Sequence, residues 1–180
     1  MTDAAARNVL DFWFGELTEA QHWRKDADLD KQIDQRFGAL RAEVIASNAQ
    51  GWRDDPDELL AAIIVVDQFS RNIHRGSARA FEGDPLALEL AKRALDQGWV
   101  DQAPRDRQSF YLMPLMHSET LADQDRCVAE FERLGLKDLD FALRHRDQIV
   151  RFGRFPGRNV ALGRTSTADE QAVIDRGETF

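Results

Sequence analysis

Six arginines fall between residues 144 and 164, at positions 144, 146, 151, 154, 158 and 164, with one acid, Asp147, among them. The stretch carries +5 while the whole chain carries −8, so positive charge is concentrated there and an anion is its complement. A guanidinium fork holds carboxylate or phosphate through two parallel hydrogen bonds, where an ammonium acts as a point charge. The run Arg151 to Asn159 leaves a helix through Gly153 and Pro156, and Gly163-Arg164-Thr165-Ser166 leads into a capped helix start. A glycine- and hydroxyl-rich turn at a helix N-terminus, flanked by arginines, suits phosphate or carboxylate. Arginines near a helix C-terminus also complement its dipole, which accounts for Arg151 and Arg154 but not for Arg158 or Arg164. The ligand-binding set expected here is Arg151, Arg154, Arg158, Asn159, Arg164 and Ser166.

A second group surrounds Asp67, which shares a stripe with Leu60, Ile63 and Ile64 and so carries a carboxylate into or beside the core. Arg71 lies four residues on, at ion-pair spacing. Gln68 and Asn72 add amides, and Arg75 and Arg79 continue at four-residue steps. Two readings stand: a buried knot that anchors a helix end, or a loop that touches ligand. On the second, Asp67, Gln68, Arg71, Asn72 and Arg75 join the candidate set.

His117-Ser118-Glu119 follows Pro114. Ser118 is read as a helix cap; neighbours in sequence seldom face each other, and no glycine-flanked nucleophile turn makes a catalytic pair of it with His117. His145 lies on the face of Ala142, Ile149 and Phe152, as a core residue or as the acid or base of a site. His117 and His145 are the candidates for proton transfer, and Glu119 is a candidate ligand contact. Asp67, His117 and Glu119 lack the spacing of a metal motif, and the nearby arginines repel a cation, so neither metal nor cofactor is expected.

The elements that must position these groups are all helices. Asp3 or Thr2 opens a first helix that runs through Phe14 to Gly15, and a second runs from about Asp26 to Asn48 with Leu29, Ile33, Phe37, Leu40 and Val44 at helical period. Asp55-Pro56 and Asp84-Pro85 each read as an N-cap followed by proline at the first helical position. The run Leu59 to Val66 is apolar on every side, which places the third helix at the centre of the fold. Gln97-Gly98 ends the fourth helix, and a fifth begins near Pro104 and is broken or kinked at Pro114. A sixth spans Glu119 to Leu134, a seventh Asp138 to about Phe152, and Thr167 to Glu170 is a capping box for an eighth. The predicted class is all-α, seven to eight helices in stacked antiparallel pairs within one domain, 1–180.

At 180 residues, 43% apolar and 31% charged, the chain is globular rather than disordered. An overall acidic balance opposes binding to nucleic acid. The longest aliphatic run is far below the roughly 20 residues needed to span a bilayer, and the N-terminus lacks a secretory pattern. The lone Cys127 fits a reducing, cytoplasmic setting.

Several motifs in order resemble the bacterial family catalogued as domain of unknown function 924. They are Leu10-Asp11-Phe12-Trp13-Phe14-Gly15, the stretch Asp67 to Gly76, Pro114-Leu115-Met116-His117-Ser118-Glu119, Asp123-Gln124, and Arg151 through Arg164. The resemblance implies a tetratricopeptide-like stack of helices and no established activity; its Asp123-Gln124 motif adds Gln124 to the candidate ligand set. Where the family shows histidine after Arg154-Phe155-Pro156, this chain has Gly157, and Ser70 replaces a proline. The expected function is a pocket for a small phosphorylated or carboxylated molecule, walled by the third, sixth and seventh helices and the final turn. The alternative is a helical adaptor for a peptide or protein partner.

Overall fold

Asp55 accepts hydrogen bonds from the backbone of Asp57 and Glu58, and Pro56 occupies the first helical position, so a helix starts there as the sequence predicts. In the computed structural model, which describes residues 3–180, no strand occurs among the described residues. The helices are α1 (Ala4–Leu10), α2 (Glu19–Trp23), α3 (Ala27–Ala46), α4 (Pro56–Ile63), α5 (Ser70–Ile73), α6 (Asp84–Asp96), α7 (Trp99–Gln102), α8 (Arg105–Met116), α9 (Leu121–Leu134), α10 (Leu139–Phe152) and α11 (Ala168–Asp175). The class is all-α as expected. The count exceeds seven to eight because α2, α5 and α7 are only four or five residues long, too short to show a period.

Two compact units are distinguished. One comprises the chain up to Arg75 together with Arg79–Gln102; the other comprises Ala103–Phe180 with Gly76–Ala78.

In the first unit α4 packs on α1 and α6, and α3 packs on α5 and on the segment Ile64–Phe69. Every residue from Leu59 to Phe69 is buried, which explains the apolar run. Ile64–Phe69 is a π-helical turn linking α4 to α5, and Asp11–Glu16 is another, following α1. Phe12, Phe37 and Phe69 meet at ring separations of 5.1 Å and 4.9 Å around Phe37. Asp3 caps α1 through Ala5 and Ala6; Thr2, the other candidate, lies outside the described residues. Asp84 is not a cap: Gly83 holds that position, and the Asp84 carboxylate is drawn to Arg71.

In the second unit α9 packs against both α8 and α10. The short link between α9 and α10 makes them run antiparallel, and Gly135 and Gly153 close them in the left-handed conformation. Helix α8 runs through Pro114 to Met116; a proline this near a helix end forfeits a single bond and does not interrupt the last turn. Ser118 is not the N-cap of α9, which falls at Thr120. The Thr167 and Glu170 capping box opens α11. Among the described residues no helix is long and apolar enough to cross a membrane.

Candidate functional site

The π turn carries Asp67 and Gln68 into the core of the first unit. Asp67 is fully buried and lies 2.9 Å from Arg71 Nη1, while Gln68 Nε2 donates to its other oxygen at 2.5 Å. Arg71 also donates to the Asp67 carbonyl and to both oxygens of Asp84, at 2.9 and 3.1 Å. Burial works against the Arg71 charge, but the two carboxylates outweigh it and raise its pKa. One turn on, Asp30 accepts from Asn72 Nδ2 at 2.8 Å and from Arg75 through two bonds of 2.9 Å. These five predicted residues are therefore brought into two carboxylate-centred knots, and Arg71 and Arg75 are engaged by acids of their own unit.

In the second unit the loop after α8 gathers Glu119, Gln124, Arg158 and Arg164. Gln124, with no exposed surface, donates through Nε2 to the carbonyls of Met116 and Ser118 at 2.7 and 2.6 Å. Ser118 Oγ donates to Asp123 at 2.8 Å. Arg158 is buried, donates to the His117 carbonyl at 2.8 Å, and lies 4.5 Å above the centre of the Phe155 ring. Glu119 accepts a bidentate pair from Arg164, at 2.8 and 3.0 Å, and the Phe155 N–H at 2.8 Å. Burial pushes its pKa up, yet these donors prevail and the carboxyl lies below its ordinary range.

The capping box of α11 is tied to the same turn. Arg154 binds both oxygens of Glu170, at 2.7 and 2.9 Å, and also the Thr165 carbonyl. The Arg154 fork, with the Thr167 N–H, overcomes burial and lowers the Glu170 pKa to about 2. Fully buried Asn159 reaches Ser166 Oγ at 3.0 Å and Glu170 at 3.4 Å. Arg154 and Arg164 thus have internal carboxylates as their anions. Sequence spacing hides these pairs, because Glu119 precedes Arg164 by 45 residues.

His145 faces inward, as its helix position predicts. Its Nδ1 lies 2.8 Å from the Phe141 carbonyl, so Nδ1 donates and Nε2 keeps the lone pair. The Phe180 ring stacks on it at 3.8 Å, with the Phe155 edge at 5.6 Å and His117 at 6.1 Å. Burial, reinforced by the positive fields of His117, Arg158 and Arg144, pushes its pKa down to about 3. It is a neutral imidazole at physiological pH.

Arg144 and Arg151 stand apart from the other arginines. Seven residues apart, they share one face of α10. Arg144 rests on the Phe141 and Phe180 rings, 5.6 and 5.1 Å from their centres, and makes no ion pair among the described residues. Among the described residues the one acid within salt-bridge range of Arg151 is Asp147, at 3.7 Å. Both arginines line a cavity of about 350 Å³, with Leu143, Asp147, Gln148, Phe152, Val173, Glu178 and Phe180. The volume suits a small molecule. Gln148 went unnoticed in the sequence although it lies three residues past His145 on the inward stripe; Phe180 left no local signal. Among the described residues no group of three His, Cys, Asp or Glu side chains is placed to hold a metal.

Comparison with known proteins places this architecture. No curated protein matches. A solved structure from Agrobacterium tumefaciens, of the protein of unknown function ATU0120, is 33% identical and superposes with a TM-score of 0.91 over 97% of this chain and 98% of that one. The family model for bacterial proteins of unknown function designated DUF924 matches residues 9–178. The chain belongs to the DUF924 family.

Proposed function

We propose that this protein binds a small organic anion, carboxylate or phosphate, in the cavity between α10 and α11, with Arg144 and Arg151 as its charged contacts. One observation carries the reading. Of the arginines between residues 144 and 164, these two line a cavity and neither is held in a bidentate pair, Arg151 meeting Asp147 only at 3.7 Å, whereas Arg154 and Arg164 are each held in a bidentate internal pair. Leu143, Phe152, Val173 and Phe180 offer the apolar body such sites use to bury a ligand. The proposal is one of binding: a histidine held neutral down to about pH 3 is far from the pKa that suits proton exchange near neutrality.

The test is a thermal-shift titration of the purified full chain with inorganic phosphate and 3-phenylpropionate. A ligand at a hundred times its Kd stabilises by about 2.7 kcal/mol, so a binder raises the melting temperature. The shift is expected to disappear in Arg144→Ala and Arg151→Ala, two exposed positions whose replacement leaves the fold intact. Failure of both anions to stabilise, or a shift that survives both substitutions, overturns the reading.

A second reading, an adaptor that takes a peptide, draws support from Phe141, Leu143 and Val150 on α10, whose relative exposures are 50%, 43% and 53%. It predicts that a labelled apolar peptide binds and that Val150→Asp abolishes the binding.

A further inference from the structure

We infer that the ligand of this cavity is a zwitterion, a free amino acid with an apolar side chain, whose ammonium group meets Gln148 and Asp147 while its carboxylate meets Arg144 and Arg151. The inference rests on the reading that the cavity is the binding site, and narrows it from anions in general to one class.

The first support is Gln148, which is only 5% exposed and lines the cavity. Its Nε2 donates to the Glu178 carbonyl at 2.6 Å, which fixes which end of the amide is which. Its Oε1 is buried and receives no hydrogen bond among the described residues. A buried acceptor without a donor costs about 1–3 kcal/mol and is rare in native structures. A plain carboxylate or the dianion of a phosphate monoester has only acceptors to offer it; an ammonium offers three donors.

The second support is the charge around the cavity. Asp147 lies between the two arginines on α10, and Glu178 lines the same space. Asp147 meets Arg151 only at 3.7 Å and is 63% exposed, so its carboxylate retains capacity for a cation. Glu178 is held by Arg176 at 2.9 Å. Two guanidiniums and two carboxylates leave the lining without net charge. A multiply charged anion is repelled by the acids, while a molecule carrying one charge of each sign is matched by both halves. The apolar remainder, Leu143, Phe152, Val173 and Phe180, receives an aliphatic or aromatic side chain.

Isothermal titration calorimetry on the full chain tests this with L-phenylalanine, L-leucine and 3-phenylpropionate, the last having ring and carboxylate but no ammonium. Phenylalanine or leucine is expected to bind about tenfold or more tightly than 3-phenylpropionate, the scale of a charge-assisted hydrogen bond. Asp147→Asn, at an exposed position, is expected to move the probes in opposite directions. It weakens the amino acid by losing the partner of its ammonium, and strengthens 3-phenylpropionate by losing a like charge. If 3-phenylpropionate binds as well as the amino acids and loses affinity in Arg151→Ala, the zwitterion inference falls and the anion reading stands. If amino acids bind with affinity indifferent to Arg144→Ala and Arg151→Ala, or if no probe binds, both fall.

Discussion

His145 shows how far one side chain can be pushed by its surroundings. Its folded pKa of about 3, against an ordinary 6.5, arises from burial first and from neighbouring positive charge second. The unfolded chain takes up a proton below pH 6.5 that the folded chain refuses down to about pH 3. The His145 contribution to stability is therefore constant above pH 6.5 and falls on acidification below it, by up to about 1.4 kcal/mol per pH unit. Glu170 acts lower on the scale: with its pKa depressed from 4.5 to about 2, its contribution is complete above the ordinary value and is lost only as pH falls toward 2. His22 and His74 are also shifted downward, mainly by burial, so the His145 share must be isolated by difference. The stability advantage of the wild type over His145→Gln is expected to shrink by about 1–2 kcal/mol between pH 6.5 and pH 5. Urea midpoints at the two pH values measure it, and a gap that stays constant refutes the assignment. Some of this chemistry was legible in the sequence: the inward face of His145 and the four-residue spacing of Asp67 and Arg71 are local. The partners of Arg154 and Arg164, 16 and 45 residues away, are products of tertiary packing and leave no periodic trace.

Among the elements, the caps at Asp55 and Thr167 were read correctly, each a side chain that closes its own helix, while the Thr18 and Gln21 capping box of the short α2 was not. The π turns escaped because they shift a hydrogen-bond register without changing residue type. Asp84 escaped because its carboxylate serves Arg71, a distant partner, in preference to the helix it begins. The chain after α11 was equally silent, yet it covers His145. A Cβ added at Gly157 would lie 2.6 Å from the Phe180 carbonyl and about 3 Å from Thr179. The close contact is with backbone, so no rotamer change relieves it. Glycine at this position is what lets the tail approach and stack Phe180 on the imidazole. Gly157→Ala is therefore expected to displace the tail, admit water to His145 and raise its pKa from about 3 toward the ordinary range. An imidazole titration followed by NMR reads this directly, with Phe180→Ala as the matching control. An unchanged His145 titration in Gly157→Ala rules out this role for the tail.

At the scale of the whole molecule, each compact unit carries its own chemical reporter. All four tryptophans, Trp13, Trp23, Trp52 and Trp99, fall in the first unit, so their fluorescence follows that unit. The sole cysteine, Cys127, falls in the second. It is fully buried between α8 and α9, its Sγ facing the Leu112 carbonyl at 3.9 Å. Burial, helped by the negative charge of Glu130, pushes its thiol pKa up to about 12. The thiolate is the reactive form, so the native thiol is shielded twice, by access and by protonation. Labelling with a water-soluble disulfide reagent at pH 8 is expected to be negligible in the native protein and to rise steeply through the urea transition, because opening of the second unit gates the reaction. Thr167→Ala should advance that transition, since loss of an N-cap costs about 1 kcal/mol and α11 sits on the turn Pro156–Arg158 of the same unit. Rapid labelling at a rate independent of urea would contradict the burial of Cys127. A labelling midpoint unmoved by Thr167→Ala would show that α11 opens without exposing the α8 and α9 core, and would remove the capping box from the forces that hold the second unit together.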